Sequence, residues 1–214
     1  MTQESDGDFV TIIFETHSTS LDNEAGIASG HNDVDLSEMG FRQAKELGQR
    51  YVDESIAAVV CSDLMRSYRT AEIAFGSGNM LIIRDPRMRE CDYGSFSGFP
   101  VEIVNRERSG RIHQPSPDGE SYNQVVERVR DLLSDIVARF RGQRLLLIGH
   151  RATWYSLEHL LAGVPLQESI EMPWAWQPGW TYQLARSQAA PASHQESFKP
   201  GVAISLRPGK TDSA

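Results

Sequence analysis

Residues 9–20 read FVTIIFETHSTS, an apolar run that gives way to polar residues at Glu15. A short run of β-branched and aromatic residues bounded by polar ones is typical of a strand that is buried on both faces of a parallel sheet. We therefore predict a strand over residues 9–14. Each of three later apolar runs predicts another buried strand, at residues 56–61, 80–83 and 145–149.

Helical patterns lie between these runs. Ser37 is a typical N-cap residue, and apolar residues follow it at helical spacing. A second apolar stripe follows residues 62–63. The longest predicted helix begins near Ser121, and its solvated face is expected to carry Arg128. A further helix is predicted over residues 153–162. This alternation of strands and helices indicates an α/β protein, with a sheet layered by helices.

One folded domain accounts for most of the chain. Residues 180–184 predict a last strand, so the domain is expected to cover residues 9–186. Residues 1–8 are polar and acidic and are expected to be flexible. Residues 187–214 are rich in Ser, Ala, Pro, Gly and Gln, which bury too little apolar area to offset the entropy of ordering them. That segment is expected to be a mobile tail.

Composition excludes several functional classes. The chain has 214 residues and a net charge of -8, and a nucleic acid or an anionic membrane as main partner would need a basic surface. Cys61 and Cys91 are the only cysteines, and their spacing fits neither a disulfide framework nor a zinc site. We expect a cytoplasmic protein without a membrane segment. A homodimer stays open as an assembly.

Polar residues follow each of the four apolar runs at its carboxyl end, where the ligand crevice of an open α/β sheet lies. Taken singly, each has an ordinary structural explanation as a packed or solvated side chain. Together, two imidazoles, a guanidinium and a carboxylate supply the nucleophile, the oxygen clamps and the proton donor for phosphoryl transfer through a covalent intermediate. In strand order, these residues are His17, Arg66, Glu90 and His150.

Six segments around these residues resemble the histidine phosphatase superfamily. The first is THSTS at residues 16–20 with Asn23, where the family has Arg-His-Gly-Glu-Thr and an Asn. The other segments are residues 30–44, 62–71, 89–98, 117–121 and 148–150, and the resemblance spans about residues 9–184. It implies a phosphoglycerate-mutase-like fold, which is a three-layer α/β/α sandwich with a mostly parallel sheet.

The resemblance also implies a mechanism and a substrate class. His17 would attack phosphorus, Glu90 would protonate the departing ester oxygen, and water would then break the phosphohistidine. Arg66 and His150 would bind the equatorial oxygens, with Asn23 at the pocket edge. The substrate would be a small phosphorylated metabolite, and neither a metal ion nor another cofactor is needed.

Two other functions stay open. The family contains mutases, which pass the phosphoryl group to a second sugar acid, but we see no long additional segment around residues 91–120 that would enclose the site as mutases do. The chain could instead be a catalytically weakened member that binds a phosphorylated ligand. A protein selected only for binding would have no need of Glu90, and we therefore expect a phosphatase.

Two departures from the family pattern concern charge. Thr16 replaces the first pocket arginine, and a hydroxyl cannot replace a guanidinium that holds two phosphoryl oxygens. Arg151 stands where the family usually has Gly. Our hypothesis is that Arg151 reaches into the pocket from the loop after the fourth strand and supplies the missing charge. The alternative is that it points to solvent or pairs with a carboxylate such as Glu15.

Two further groups of residues have both a structural and a functional interpretation. We expect the aromatic residues at 174–180 to pack beside the sheet rather than to form a recognition surface. We expect the second group to lie on a solvated helix and loop, with a lid that selects an anionic substrate as the alternative. The second group consists of Arg106, Arg108, Arg111 and His113.

Overall fold

A computed structural model describes residues 9–185 of the chain. The expectations for residues 1–8 and 187–214 therefore lie outside the described residues. Within the described part, none of the helices combines the length and the apolar character needed to cross a membrane.

A five-stranded sheet forms the centre of the domain, in the order β3-β2-β4-β1-β5. The first four strands are parallel to their neighbours, and only β5 runs antiparallel, beside β1 at the sheet edge. This arrangement confirms the predicted mostly parallel sheet. The strands are β1 (Phe9–Thr16), β2 (Ala58–Cys61), β3 (Ile82–Arg84), β4 (Arg144–Gly149) and β5 (Trp180–Ala185).

Seven α-helices accompany the sheet in residues 9–185. They are α1 (Leu21–Ala25), α2 (Glu38–Arg50), α3 (Met65–Phe75), α4 (Val101–Glu107), α5 (Tyr122–Arg139), α6 (Arg151–Leu161) and α7 (Leu166–Glu171). Short 3₁₀ segments cover Pro86–Met88, Gly94–Phe96 and Arg108–Arg111.

The predicted helix starts are mostly confirmed. The Ser37 hydroxyl caps α2 by accepting from the Gly40 amide, and Ser121 caps α5. Helix α6 begins two residues earlier than predicted, so Arg151 is the first residue of a helix rather than part of a loop. Helices α1 and α7 were not predicted, because their five and six residues are too few to show an apolar period.

The sheet separates two apolar cores. Successive side chains of a strand point to opposite faces, so Phe14 and Leu147 belong to one core while Ile13 and Leu146 belong to the other. The first core is covered by α5, α6 and α7, and the second by α2 and α3. Helices on both faces of the sheet confirm the predicted three-layer sandwich.

The carboxyl ends of the four parallel strands lie together at one end of the sheet. In the register of β1 and β4, Thr16 lies opposite Gly149. The His17 amide donates to the Gly149 carbonyl at 2.9 Å, which continues the pairing for one residue beyond β1. His17 and His150 are therefore held side by side although they are far apart in the sequence.

Candidate active site

The two histidines form the floor of a cleft of about 730 Å³. Their ring centroids lie 4.9 Å apart, with the ring planes inclined at 55°. Every residue that the sequence predicts for the site lines this cleft, although their elements are spread over the whole domain. These residues are Thr16, His17, Asn23, Arg66, Glu90, His150 and Arg151.

The tautomer of His17 follows from its main-chain contact. Nδ1 of the ring lies 2.8 Å from the Ser18 carbonyl oxygen, which can only accept a hydrogen bond. Nδ1 therefore carries the proton, and Nε2 keeps its lone pair. Burial, followed by the charge of Arg66, lowers the pKa of His17 from 6.5 to about 3. At neutral pH the ring is therefore uncharged, as an attacking imidazole needs to be.

This lowered pKa makes stability depend on pH. Below pH 6.5 the unfolded chain takes up a proton on His17 that the folded chain does not bind, so the free energy of unfolding falls as pH falls towards about 3. From pH 7 to pH 5 the expected contribution of His17 is about 2 kcal/mol. Urea unfolding at both pH values should show a smaller decrease for His17→Gln than for the wild type. The exposed His113→Gln variant is the control, and equal decreases in all three proteins would contradict the prediction.

His150 is the second neutral imidazole. Burial, and then the charge of Arg66, keeps the pKa of His150 well below its ordinary value. Neither ring nitrogen has a hydrogen-bond partner among the described residues. Because buried polar atoms are normally satisfied, these nitrogens are available to a ligand in the cleft.

Arg66 enters the cleft from the first turn of α3. Only 2% of the residue is exposed, and its two terminal nitrogens donate to the carbonyl oxygens of Asn32 at 3.0 Å and Gly30 at 2.8 Å. Gly30 has a φ of 53°, a left-handed conformation that favours glycine. These carbonyls fix the guanidinium plane and leave its remaining N–H groups for an anion.

Glu90 follows β3 and is buried at one side of the cleft. Its Oε1 atom accepts from the Cys91 amide at 2.7 Å and from the Ala152 amide at 3.2 Å. Ala152 is the second residue of α6, so an otherwise unpaired helix N–H group is satisfied by this carboxylate. With Oε1 occupied by two donors, Oε2 is the oxygen that can hold an acid proton.

The Glu90 main chain is held by Arg128, which was predicted to be solvated. That prediction was wrong. One terminal nitrogen of Arg128 donates to the Glu90 carbonyl at 2.9 Å, and the other donates to the Arg87 carbonyl at 2.6 Å. Arg128 also forms an ion pair with Glu120 at 3.0 Å. The periodicity of α5 placed Arg128 on the outer face correctly, but it cannot show that a loop covers this face.

Thr16 and Asn23 are two further predicted site residues that line the cleft beside the charged groups. Thr16 ends β1 and offers a hydroxyl where the family pattern has a guanidinium. Asn23 lies in α1, and its Oδ1 atom accepts from the Ser20 amide at 3.0 Å as part of a capping box.

Arg151 lies at the cleft, as the first hypothesis expects, but it contacts an aromatic ring there. It lines the cleft, with its guanidinium carbon 5.2 Å from the centroid of the Trp174 ring. Within the described residues it forms no ion pair with Glu15, whose Oε1 atom accepts from Arg50 at 3.0 Å and from Tyr51 at 2.8 Å.

Arg108 was expected to be solvated, with a lid over the site as the alternative. It is only 8% exposed and lines the cleft, so the first expectation was wrong. The 3₁₀ segment Arg108–Arg111 turns this side chain inward, and no periodic pattern could have shown that turn. Trp174 and Trp180 pack against the core as predicted, and Trp174 also lines the cleft. Trp176 is 57% exposed and lines the cleft as well.

Comparisons with known proteins agree with this geometry. The profile of the histidine phosphatase superfamily (branch 1) matches residues 12–188. The chain is 30% identical over 161 residues to a probable phosphoglycerate mutase of Erwinia tasmaniensis, covering 70% of this chain and 73% of that protein. It is 29% identical over 160 residues to "Putative phosphoserine phosphatase 2" of Hydrogenobacter thermophilus, covering 71% of this chain and 78% of that protein.

A solved structure supports the fold. The mycobacterial glucosyl-3-phosphoglycerate phosphatase superposes with a TM-score of 0.67 at 22% identity, over 78% of this chain and 87% of that one. The match of the family profile over most of the described domain, together with this fold, means that the chain belongs to the histidine phosphatase superfamily.

Proposed function

We propose that this protein is a metal-independent phosphatase that hydrolyses a small phosphomonoester through a phosphohistidine on His17. The observation that carries the proposal is the state of His17. Its proton is held on Nδ1 by the Ser18 carbonyl, and its neutral ring lies in the cleft beside His150. The same cleft is lined by Arg66 and Glu90.

In the first step, Nε2 of His17 forms a bond to phosphorus while the ester P–O bond breaks. The leaving oxygen takes the proton from Oε2 of Glu90. The phosphorylated ring is cationic because Nδ1 keeps its proton, and the Ser18 carbonyl continues to accept from that N–H group. Arg66 and His150 bind the equatorial oxygens, where negative charge accumulates in the transition state.

In the second step, water replaces the leaving alcohol. Ionised Glu90 takes a proton from the water as its oxygen attacks phosphorus. The P–N bond then breaks, and the electron pair returns to Nε2 of His17. The products are inorganic phosphate and an enzyme with Glu90 protonated again, which closes the cycle without a metal ion.

Chemical trapping tests this proposal. An aryl phosphate labelled at phosphorus, mixed with the protein and quenched rapidly in alkali, should leave a phosphoryl group on His17 that is stable to base and released by acid. A chelator should not change turnover. Phosphate bound to another residue, or turnover that requires an added divalent ion, would contradict the proposal. No turnover of any phosphomonoester would favour the binding protein considered above.

Phosphotransfer is the second candidate, and the similarity to a probable phosphoglycerate mutase favours it. A mutase must exclude water while its phosphohistidine waits for an acceptor. Adding a hydroxy acid during turnover distinguishes the two functions. For a phosphatase, phosphate release should continue at the same rate, whereas a mutase would transfer the label to the hydroxy acid.

A further inference from the structure

Two arginines that line the cleft lie near the ring of one buried tyrosine, Tyr155. The guanidinium carbon of Arg108 lies 5.7 Å from the centroid of the Tyr155 ring, and that of Arg151 lies 5.8 Å from it. The guanidinium of Arg151 also lies 5.2 Å from the ring of Trp174. Both arginines line the cleft that contains His17.

The hydrogen-bonding capacity of these arginines is partly unused, although the Arg151 side chain lies close enough to the Tyr155 hydroxyl for a hydrogen bond that lowers the pKa of Tyr155. The Nε atom of each is buried and has no hydrogen-bond partner within residues 9–185. Arg108 donates from one terminal nitrogen to the Asn105 side chain. Neither guanidinium forms an ion pair with a carboxylate of the described chain. Buried donors without partners are costly and need an explanation, and a ligand that the cleft receives is one.

The charges of Arg108 and Arg151 both affect the pKa of Tyr155. Burial raises the pKa of Tyr155, and the charges of Arg108 and Arg151 oppose that increase. In contrast, the pKa of His17 is lowered by burial and by Arg66. Arg66 is thus the arginine whose charge lowers the pKa of both cleft histidines, whereas Arg108 and Arg151 both act on the pKa of the buried Tyr155. Two like charges near one ring repel each other, so an anion bound to both would stabilise them.

We propose that Arg108 and Arg151 form a subsite for a second oxyanion of the substrate, either a carboxylate or a second phosphoryl group. This inference rests on the proposed function, in which Arg66 and the two histidines hold the phosphoryl group that is transferred. A guanidinium is suited to either group because its N–H fork matches a pair of oxygens.

Three alkyl phosphates test the subsite: propyl phosphate, 2-carboxyethyl phosphate and propane-1,3-diol bisphosphate. They share an alkoxide leaving group and differ in the second charge. With the full chain, kcat/KM should be about tenfold or more higher for at least one of the two doubly anionic esters than for propyl phosphate. The preferred ester shows whether the subsite takes a carboxylate or a phosphoryl group.

Variants show whether the two arginines cause this preference. The ratio compared is kcat/KM for the preferred doubly anionic ester divided by kcat/KM for propyl phosphate. Arg108→Gln and Arg151→Gln should each reduce this ratio about tenfold. Arg106→Gln, on the exposed surface of α4, should keep the wild-type ratio. If the buried Arg108→Gln variant does not fold, as judged from thermal unfolding, the partly buried Arg151→Gln carries the test.

Two results would overturn the subsite and leave the phosphatase intact. The first is that the wild-type protein has nearly the same kcat/KM for both doubly anionic esters as for propyl phosphate. The second is an equal loss on all three esters in the variants, which would place the arginines on the transferred phosphoryl group. If none of the three esters is hydrolysed while an aryl phosphate is, the proposed function stands and calorimetry still tests the subsite. Tighter binding of a doubly anionic ester would support it, and equal Kd values for the three esters would refute it.

Discussion

Replacement of His17 by alanine should lower kcat/KM for an aryl phosphate about 10⁴-fold or more, because it removes the phosphoryl acceptor of the proposed mechanism. His150 is also a neutral imidazole in the cleft, but in that mechanism it binds an equatorial oxygen and does not attack phosphorus. Steady-state assays with 4-nitrophenyl phosphate measure the loss, and the alkaline quench should recover no phosphoryl group from the variant.

The matched control for this prediction is His113→Ala. His113 is exposed and hydrogen-bonds to Asn123, away from the cleft. Its replacement should leave turnover within about twofold of the wild type, as is usual for a surface change without structural consequences. A His17→Ala protein that is folded and retains a tenth of the wild-type turnover would rule out the covalent mechanism.

Glu90→Gln should separate substrates by their leaving groups. The change preserves the structure, because an amide oxygen can still accept from the Cys91 and Ala152 amides that now hold Oε1. It removes the acid proton. Loss of general-acid catalysis is expected to slow propyl phosphate about 10²- to 10⁴-fold, whereas 4-nitrophenyl phosphate, whose oxide leaves without a proton, should slow by less than about tenfold.

Glu102→Gln serves as the control for Glu90, since Glu102 is an exposed carboxylate in α4. It should affect neither substrate. The single-turnover rate constant for release of the alcohol is compared for both esters. Hydrolysis of the phosphohistidine then does not mask the first step. Equal slowing of propyl and 4-nitrophenyl phosphate by Glu90→Gln would show that Glu90 is not the proton donor.

The sequence predicted the sheet well because its signals are local. A strand that is buried on both faces must be apolar throughout, so the run from residue 9 to 14 was visible without knowing its neighbours. The position of His17 then followed from a general property of α/β sheets, whose ligands bind beyond the carboxyl ends of the strands.

What the sequence could not show depends on contacts between distant segments. Arg108 points into the cleft because a 3₁₀ segment follows α4, and Arg128 binds the Glu90 carbonyl because a loop crosses α5. Both are charged residues in polar surroundings, and a solvated side chain gives the same local pattern. Arg151 was placed in a loop because its helix begins at the residue directly after His150, without a typical N-cap residue.

The strand order also has a consequence for synthesis of the chain. Both neighbours of β1, which are β4 and β5, come from residues 144–185. On the ribosome, β1 therefore emerges first and stays without its native partners until most of the domain has been made. During that interval it is an apolar strand with unpaired edges, the kind of segment that associates with other chains. We expect nascent β1 to need protection until β4 pairs with it, and the two histidines of the cleft to meet only in that late step.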